Sequence, residues 1–152
     1  GLYRWIGMNE TGYQGMVDVS KAIPGGVICL ISALSFYNMT AVKPMEVSIA
    51  IDRKRKVVKP DYPPTKVYYF KNDIFHAGIQ KEKIGGVQIL IYNKEKTLCD
   101  CIKYRNQIGM DIVKEALREY LKNSNRNLEL LMEYAEVCKV TTVLKNYLEV
   151  MI

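Results

Sequence analysis

The sequence predicts an α+β fold, with a small, mostly antiparallel sheet, two early helices and a carboxy-terminal helical group. Three observations predict it. Period-two alternation of β-branched residues is confined to the part of the chain before Asn93, as in Val87, Ile89 and Ile91. Helical spacing then recurs three times, beginning at Asp111, Leu128 and Thr142. Between them lies GGVQILIYNKEKTLCDCIKYRNQIGMD, from Gly85 to Asp111, which reads as a turn, a strand, a cap and a helix in sequence.

The elements follow in order. GLYRWIG at Gly1–Gly7 begins abruptly as a β-prone segment. Thr11 to Ile23 carries Met16, Val17, Val19, Ala22 and Ile23 at helical spacing and is stopped by Pro24-Gly25-Gly26. Val27 to Tyr37 reads as a second helix, apolar nearly all round and therefore central, with Asn38 as its stop. Glu46 to Ile51 alternates as a half-buried strand, and Lys66 to Phe70 resumes as another. The prolines of the intervening segment make it an irregular, exposed connection.

One turn of helix is expected at Asn72 to Ala77. A hairpin then joins Ile79–Ile84 to Val87–Tyr92 through Gly85-Gly86, because two glycines supply the positive φ angles of a two-residue turn. Asn93 can accept from a free amide of the next helix, and Glu95 suits the positive end of its dipole. Leu98, Cys101 and Ile102 are that helix's expected apolar stripe. Short connections argue for antiparallel pairing of the four strands and for packing between neighbouring carboxy-terminal helices.

At 152 residues and 49% hydrophobic, the chain is long enough for one cored domain and short for two, placing the domain over 11–152. It has no run of 18 apolar residues and no basic-then-apolar leader order, so a soluble, cytoplasmic protein without membrane contact is expected. Cys29, Cys99, Cys101 and Cys138 fall at apolar positions without paired C-x-x-C spacing, which favours buried free thiols. With His76 the single histidine, no metal or cofactor site is expected, and the chain reads as non-enzymatic. Lys43 to Lys83 holds ten Lys and Arg against five Asp and Glu, most of the net +6. That excess points to an acidic partner such as nucleic acid.

Arg53, Lys54, Arg55, Lys56, Lys59 and Lys66, with Tyr62 and the strand aromatics Tyr68, Tyr69 and Phe70, combine charge with rings that could stack on bases. Alternation puts Tyr69 opposite Tyr68 and Phe70, one side being core. Lys103, Tyr104, Arg105 and Asn106 form either a polar contact patch or a helix end whose cations suit the dipole. Asp52-x-Lys54 at a strand end, with Glu46 upstream, is the one pattern compatible with a metal-dependent nuclease. Gly25-Gly26 lacks a phosphate-loop pattern and reads as a turn.

VDVSKAIPGGVICLISALSFYNMT (Val17–Thr40) and YNKEKTLCDCIKYRNQIGMDIVKEAL (Tyr92–Leu117), with EVSIAIDRKRK between them, resemble the carboxy-terminal domain of AbiEi-type antitoxins, predicted transcriptional regulators of bacterial antiviral defence. The resemblance covers nearly the whole chain. It implies an antitoxin and autoregulator of a type IV abortive-infection toxin-antitoxin system. Such a protein antagonises a nucleotidyltransferase-like toxin without a stable complex and binds operator DNA mainly through a winged helix-turn-helix. That winged part is expected to be missing here, residues 1–10 being the remnant of its last strand and linker. Asp100, Lys103, Tyr104, Arg105 and Asn106, and Ser32, Ala33 and Leu34, match the family's segments without an implied catalytic role. Asp52 departs from the proline or neutral residue expected before the basic run. The alternative function is an interaction module that pairs with itself or with another protein through the helical end.

Overall fold

The computed structural model describes residues 13–151. The wing-strand remnant read over 1–10 lies outside them. The first helix, α1, spans 13–22 among the described residues. It is followed by β1 (Val27–Ile28), α2 (Leu30–Phe36), β2 (Val47–Asp52), β3 (Thr65–Phe70), α3 (Asn72–His76), β4 (Ile79–Ile84) and β5 (Val87–Tyr92). Helices α4 (Lys94–Lys103), α5 (Arg105–Ile108), α6 (Met110–Leu121), α7 (Leu128–Cys138) and α8 (Thr141–Met151) complete the chain. The fold is α+β.

The sheet is mixed rather than mostly antiparallel. Its order is β3-β2-β1-β5-β4. β1 pairs antiparallel with β2, and β4 with β5, whereas β2–β3 and β1–β5 are parallel. The expectation failed on one assumption, that a parallel crossover here needs a helix. Residues 53–64 make the β2–β3 crossover as an irregular strap, at about the dozen residues such a return requires. Val57 of the strap packs with α1 and the sheet, so the strap covers the face that α1 covers.

Alternation along the strands sorts the core into two faces. Ile28, Val47, Ile49, Ile51, Ile89 and Ile91 meet Met16, Val17, Val19 and Ile23 of α1. Val27, Ala50, Phe70 and Tyr92 meet α4 and the helices around it. Because β2 is covered on both faces, Val47 through Ile51 are all buried, and it is not the half-exposed strand that its alternation predicts.

The segment Val27–Tyr37 departs furthest from its helical reading. Val27 and Ile28 fill the slot between β2 and β5, and the chain then turns sharply through Leu30, a buried leucine held at φ 50°. Such a conformation is costly for a side chain bearing a Cβ and persists only where surrounding packing enforces it. Here the Cys29 amide donates to the Ser48 carbonyl at 3.1 Å, and the Ser48 amide donates to Ser32 Oγ at 2.8 Å. Ser32 thus stitches α2 to β2. Asn38 does stop this helix: at φ 57° it donates to Ser35 O, and Met39 donates to Leu34 O, closing the helix end.

The hairpin forms as expected. Ile84 pairs with Val87 across Gly85 (φ 57°) and Gly86 (φ 81°), conformations that favour glycine. Asn93 caps α4 by accepting from the Lys96 amide at 2.8 Å. α4 itself is not amphipathic in its burial. Every residue from Lys96 to Ile102 is buried, since the sheet, α2, α6 and α7 surround it.

Candidate nucleic-acid interface

The basic strap begins at a turn fixed by Asp52. One carboxylate oxygen accepts from the Lys54 amide at 2.9 Å and the other from Asn72 Nδ2 at 2.8 Å. The Lys54 amide, then Asn72, hold this carboxyl below its ordinary range. Arg55 is turned back, its guanidinium donating to the Pro24 carbonyl at 2.9 Å over Gly25, so it fastens the strap to the end of α1. Arg53, Lys54, Lys56 and Lys59 are exposed and enter no ion pair among the described residues.

Lys66 is separated from them. β2 and β3 run parallel, with Ser48 opposite Lys66 and Asp52 opposite Phe70. Lys66 therefore lies about 13 Å along the sheet from the Asp52 end at the usual rise per residue. Its ammonium stands 5.9 Å above the Tyr68 ring, on the α4 side of the sheet, while the strap lies on the α1 side. The six basic residues expected to act together thus form one exposed run, one clamp at Arg55 and one outlier.

The aromatic residues divide similarly. Phe70 stacks on Tyr92 and Tyr104, and Tyr68 meets Tyr104 edge-on, so these rings are committed to the core side. Tyr69 points the other way and is 48% exposed, while Tyr62 on the strap is 80% exposed. Of the strap and β3 rings, Tyr62 and Tyr69 are the ones placed to stack on a base.

In the Lys103–Asn106 patch, Tyr104 is taken up by that aromatic cluster, and Arg105 donates to the Ile102 carbonyl at 2.9 Å, satisfying the end of α4. Lys103 and Asn106 are exposed. The helix-end reading accounts for Tyr104 and Arg105. The nuclease pattern does not assemble. Asp52 is occupied by its turn, and Glu46 precedes the opposite end of β2, about 20 Å away at the strand rise. No group of three His, Cys, Asp or Glu able to hold a metal occurs among the described residues.

The most unusual electrostatic feature is one that the sequence conceals. Lys96 and Asp100, one turn apart on α4, are fully buried and form an ion pair at 2.8 Å. The ammonium lies 3.9 Å from the Tyr92 ring centroid and 5.2 Å from that of Phe70, while Cys138 Sγ donates to the other Asp100 oxygen at 3.4 Å. A cation over aromatic faces is attracted by their quadrupoles. All four cysteines are buried and free. Burial raises the Cys29 and Cys101 thiols well above their ordinary range and Cys138 to about 12, which makes them inert packing groups rather than nucleophiles.

Burial pushes the Asp100 carboxyl up to about 6, against the opposing pull of Lys96. Because the folded value exceeds the unfolded one, the associated stability is fully present below about pH 4 and is lost as pH rises through about 6. Urea titrations from pH 4 to 8 should therefore show the wild-type stability falling relative to that of Asp100→Asn. Parallel pH profiles would contradict it.

Compared with known proteins, the chain matches no family model and no curated protein.

Proposed function

We propose that this chain is a non-enzymatic antitoxin and transcriptional-regulator domain of the AbiEi type, cytoplasmic, counteracting a nucleotidyltransferase-like toxin and assisting contact with nucleic acid. The observation that carries the nucleic-acid part is the strap. Arg53, Lys54, Lys56, Lys59 and Tyr62 are all exposed on one connection that Arg55 fastens to the end of α1. A tethered run of cations beside an exposed ring offers phosphate neutralisation and base stacking together. The antitoxin part rests on the order of the three sequence segments that resemble the family. Operator recognition would lie mainly in a winged domain.

Two measurements test the reading. Co-expression with the neighbouring nucleotidyltransferase-like toxin should restore growth, and Arg53→Ala, Lys54→Ala and Lys56→Ala combined should weaken that rescue without unfolding the chain. The same triple variant should flatten the dependence of log K on log salt for duplex DNA by about 3, since each neutralised phosphate contributes close to one unit. A folded wild-type chain that neither rescues growth nor binds nucleic acid refutes the proposal.

A further inference from the structure

Where the strap returns to β3, Tyr62 forms one wall of a cleft of about 230 Å³. Tyr13 of α1, Ser35 of α2, Met45 and Glu46 before β2, and Pro63 line the rest of it. Tyr62 is 80% exposed and Met45 91%, so the cleft has two apolar lips open to solvent. Its rim is fixed from both sides. The Pro64 carbonyl accepts from the Val47 amide at 2.8 Å, and Thr65 Oγ1 donates to the Pro63 carbonyl at 2.8 Å. Pro60, Pro63 and Pro64 also fix φ along this end of the strap, which limits the freedom that binding would have to remove. The volume is below the roughly 300–1,000 Å³ of pockets that enclose a whole small ligand, and it suits one planar ring.

The cleft and the strap differ in charge. Glu46 is exposed and in no ion pair among the described residues, so it repels a phosphate but can accept from the amino or imino group of a base edge. The cations lie further along the strap, at Lys59, Lys56, Lys54 and Arg53, with Asp61 the one carboxylate among them. We propose that the strap is a site for single-stranded nucleic acid, with phosphates along the cations and one unpaired base in the cleft against Tyr62. This rests on the nucleic-acid reading of the strap and adds the form of nucleic acid that it selects. In a duplex each base is stacked and paired, and reaching the cleft would require its extrusion. An unpaired strand offers its base faces at no such cost, and stacking on an exposed ring tolerates any sequence. Phosphates and base faces are common to DNA and RNA.

Fluorescence anisotropy of the whole chain, at one salt concentration, tests this with three labelled probes: a mixed-sequence DNA strand, the RNA strand of the same sequence, and the DNA annealed to its complement. At least one single strand should bind roughly tenfold tighter than the duplex, the effect of one stacked base, and the tighter of the two strands names the ligand. Tyr62→Ala should remove that advantage, and Tyr62→Phe, which keeps the ring, should retain it. Neither should change duplex affinity or its salt dependence, which the cations set. Tyr62 is exposed, so both variants should melt as the wild type does. Equal affinity for strands and duplex overturns the proposal, as does a folded Tyr62→Ala that keeps the single-strand advantage. Either result leaves nucleic-acid binding by the strap standing. A chain that binds none of the three probes refutes that reading, and this site with it.

Discussion

Lys96→Ala should destabilise the fold by about 3–5 kcal/mol, the cost found when one partner of a buried ion pair is removed and the other left uncompensated. Among the described residues the Lys96 ammonium has Asp100 as its one hydrogen-bond partner and otherwise lies over Tyr92 and Phe70. Without it Asp100 keeps, among the described residues, the Cys138 thiol alone. Removal of the aliphatic stem also empties volume between α4 and the sheet, which adds to the loss. Thermal melts should show a fall of about 10 °C or more for a chain of this size. The informative control is Lys96→Met combined with Asp100→Leu. Replacement of both charges by apolar groups of similar volume is often neutral or stabilising, so the double variant should stay much closer to wild type than either truncation. If Lys96→Ala costs less than about 1 kcal/mol, the pair is not desolvated as described.

Gly78→Ala should cost about 2–4 kcal/mol, from two sources acting at one position. Gly78 sits at φ 80°, where a Cβ is strained, and that Cβ would lie 2.6 Å from the Cβ of Lys96. The site cannot relax easily, because the Gly78 carbonyl accepts the Asn93 amide at 2.8 Å and so fastens the start of β4 to the cap of α4. Gly85 separates the two sources. It has a similar φ of 57° with nothing within 4 Å of a built Cβ, so Gly85→Ala should show only the backbone part, about 1–2 kcal/mol. Urea midpoints of the two variants give the packing part by difference, and equal losses would show that Lys96 yields to the new methyl. Since Gly78 and Lys96 touch, their substitutions should not add, and a double-mutant cycle should report the coupling.

What was legible in the sequence was local. Gly85-Gly86 between alternating runs, Asn93 before a helix, and the apolar spacings of α6, α7 and α8 each specify their element through contacts a few residues apart, and each formed close to the expected bounds. The errors share a different origin. Val27-Ile28 becomes a strand because Ile28 lies opposite Ile49 and Ile91, partners that no local window contains. β3 runs parallel to β2, against the expectation, because the strap returns over the α1 face without a helix. Lys96 and Asp100 were hidden because charges on a helix ordinarily mark its solvent side, and here an entire helix is enclosed. In the candidate interface, sequence supplied the cations, and alternation separated Tyr69 from Tyr68 and Phe70. It did not supply the parallel pairing that carries Lys66 away, nor the Pro24 carbonyl that recruits Arg55.

The place of β1 in the sheet also governs how the chain can be made. Ile28 pairs with Ile91, so the central strand gains its second neighbour only after 63 further residues have been synthesised. Until then, β2 and β3 can form a parallel pair with β1 at one edge, and that edge exposes unpaired amides and carbonyls beside buried-type residues. A nascent chain stalled in the strap or in α3 is thus an open sheet, the kind of species that aggregates or engages a chaperone. Emergence of β5 and α4 closes the edge and covers the face in one step. Protein synthesis that pauses before Tyr92 should leave a protease-sensitive chain, and release of that pause a protected one.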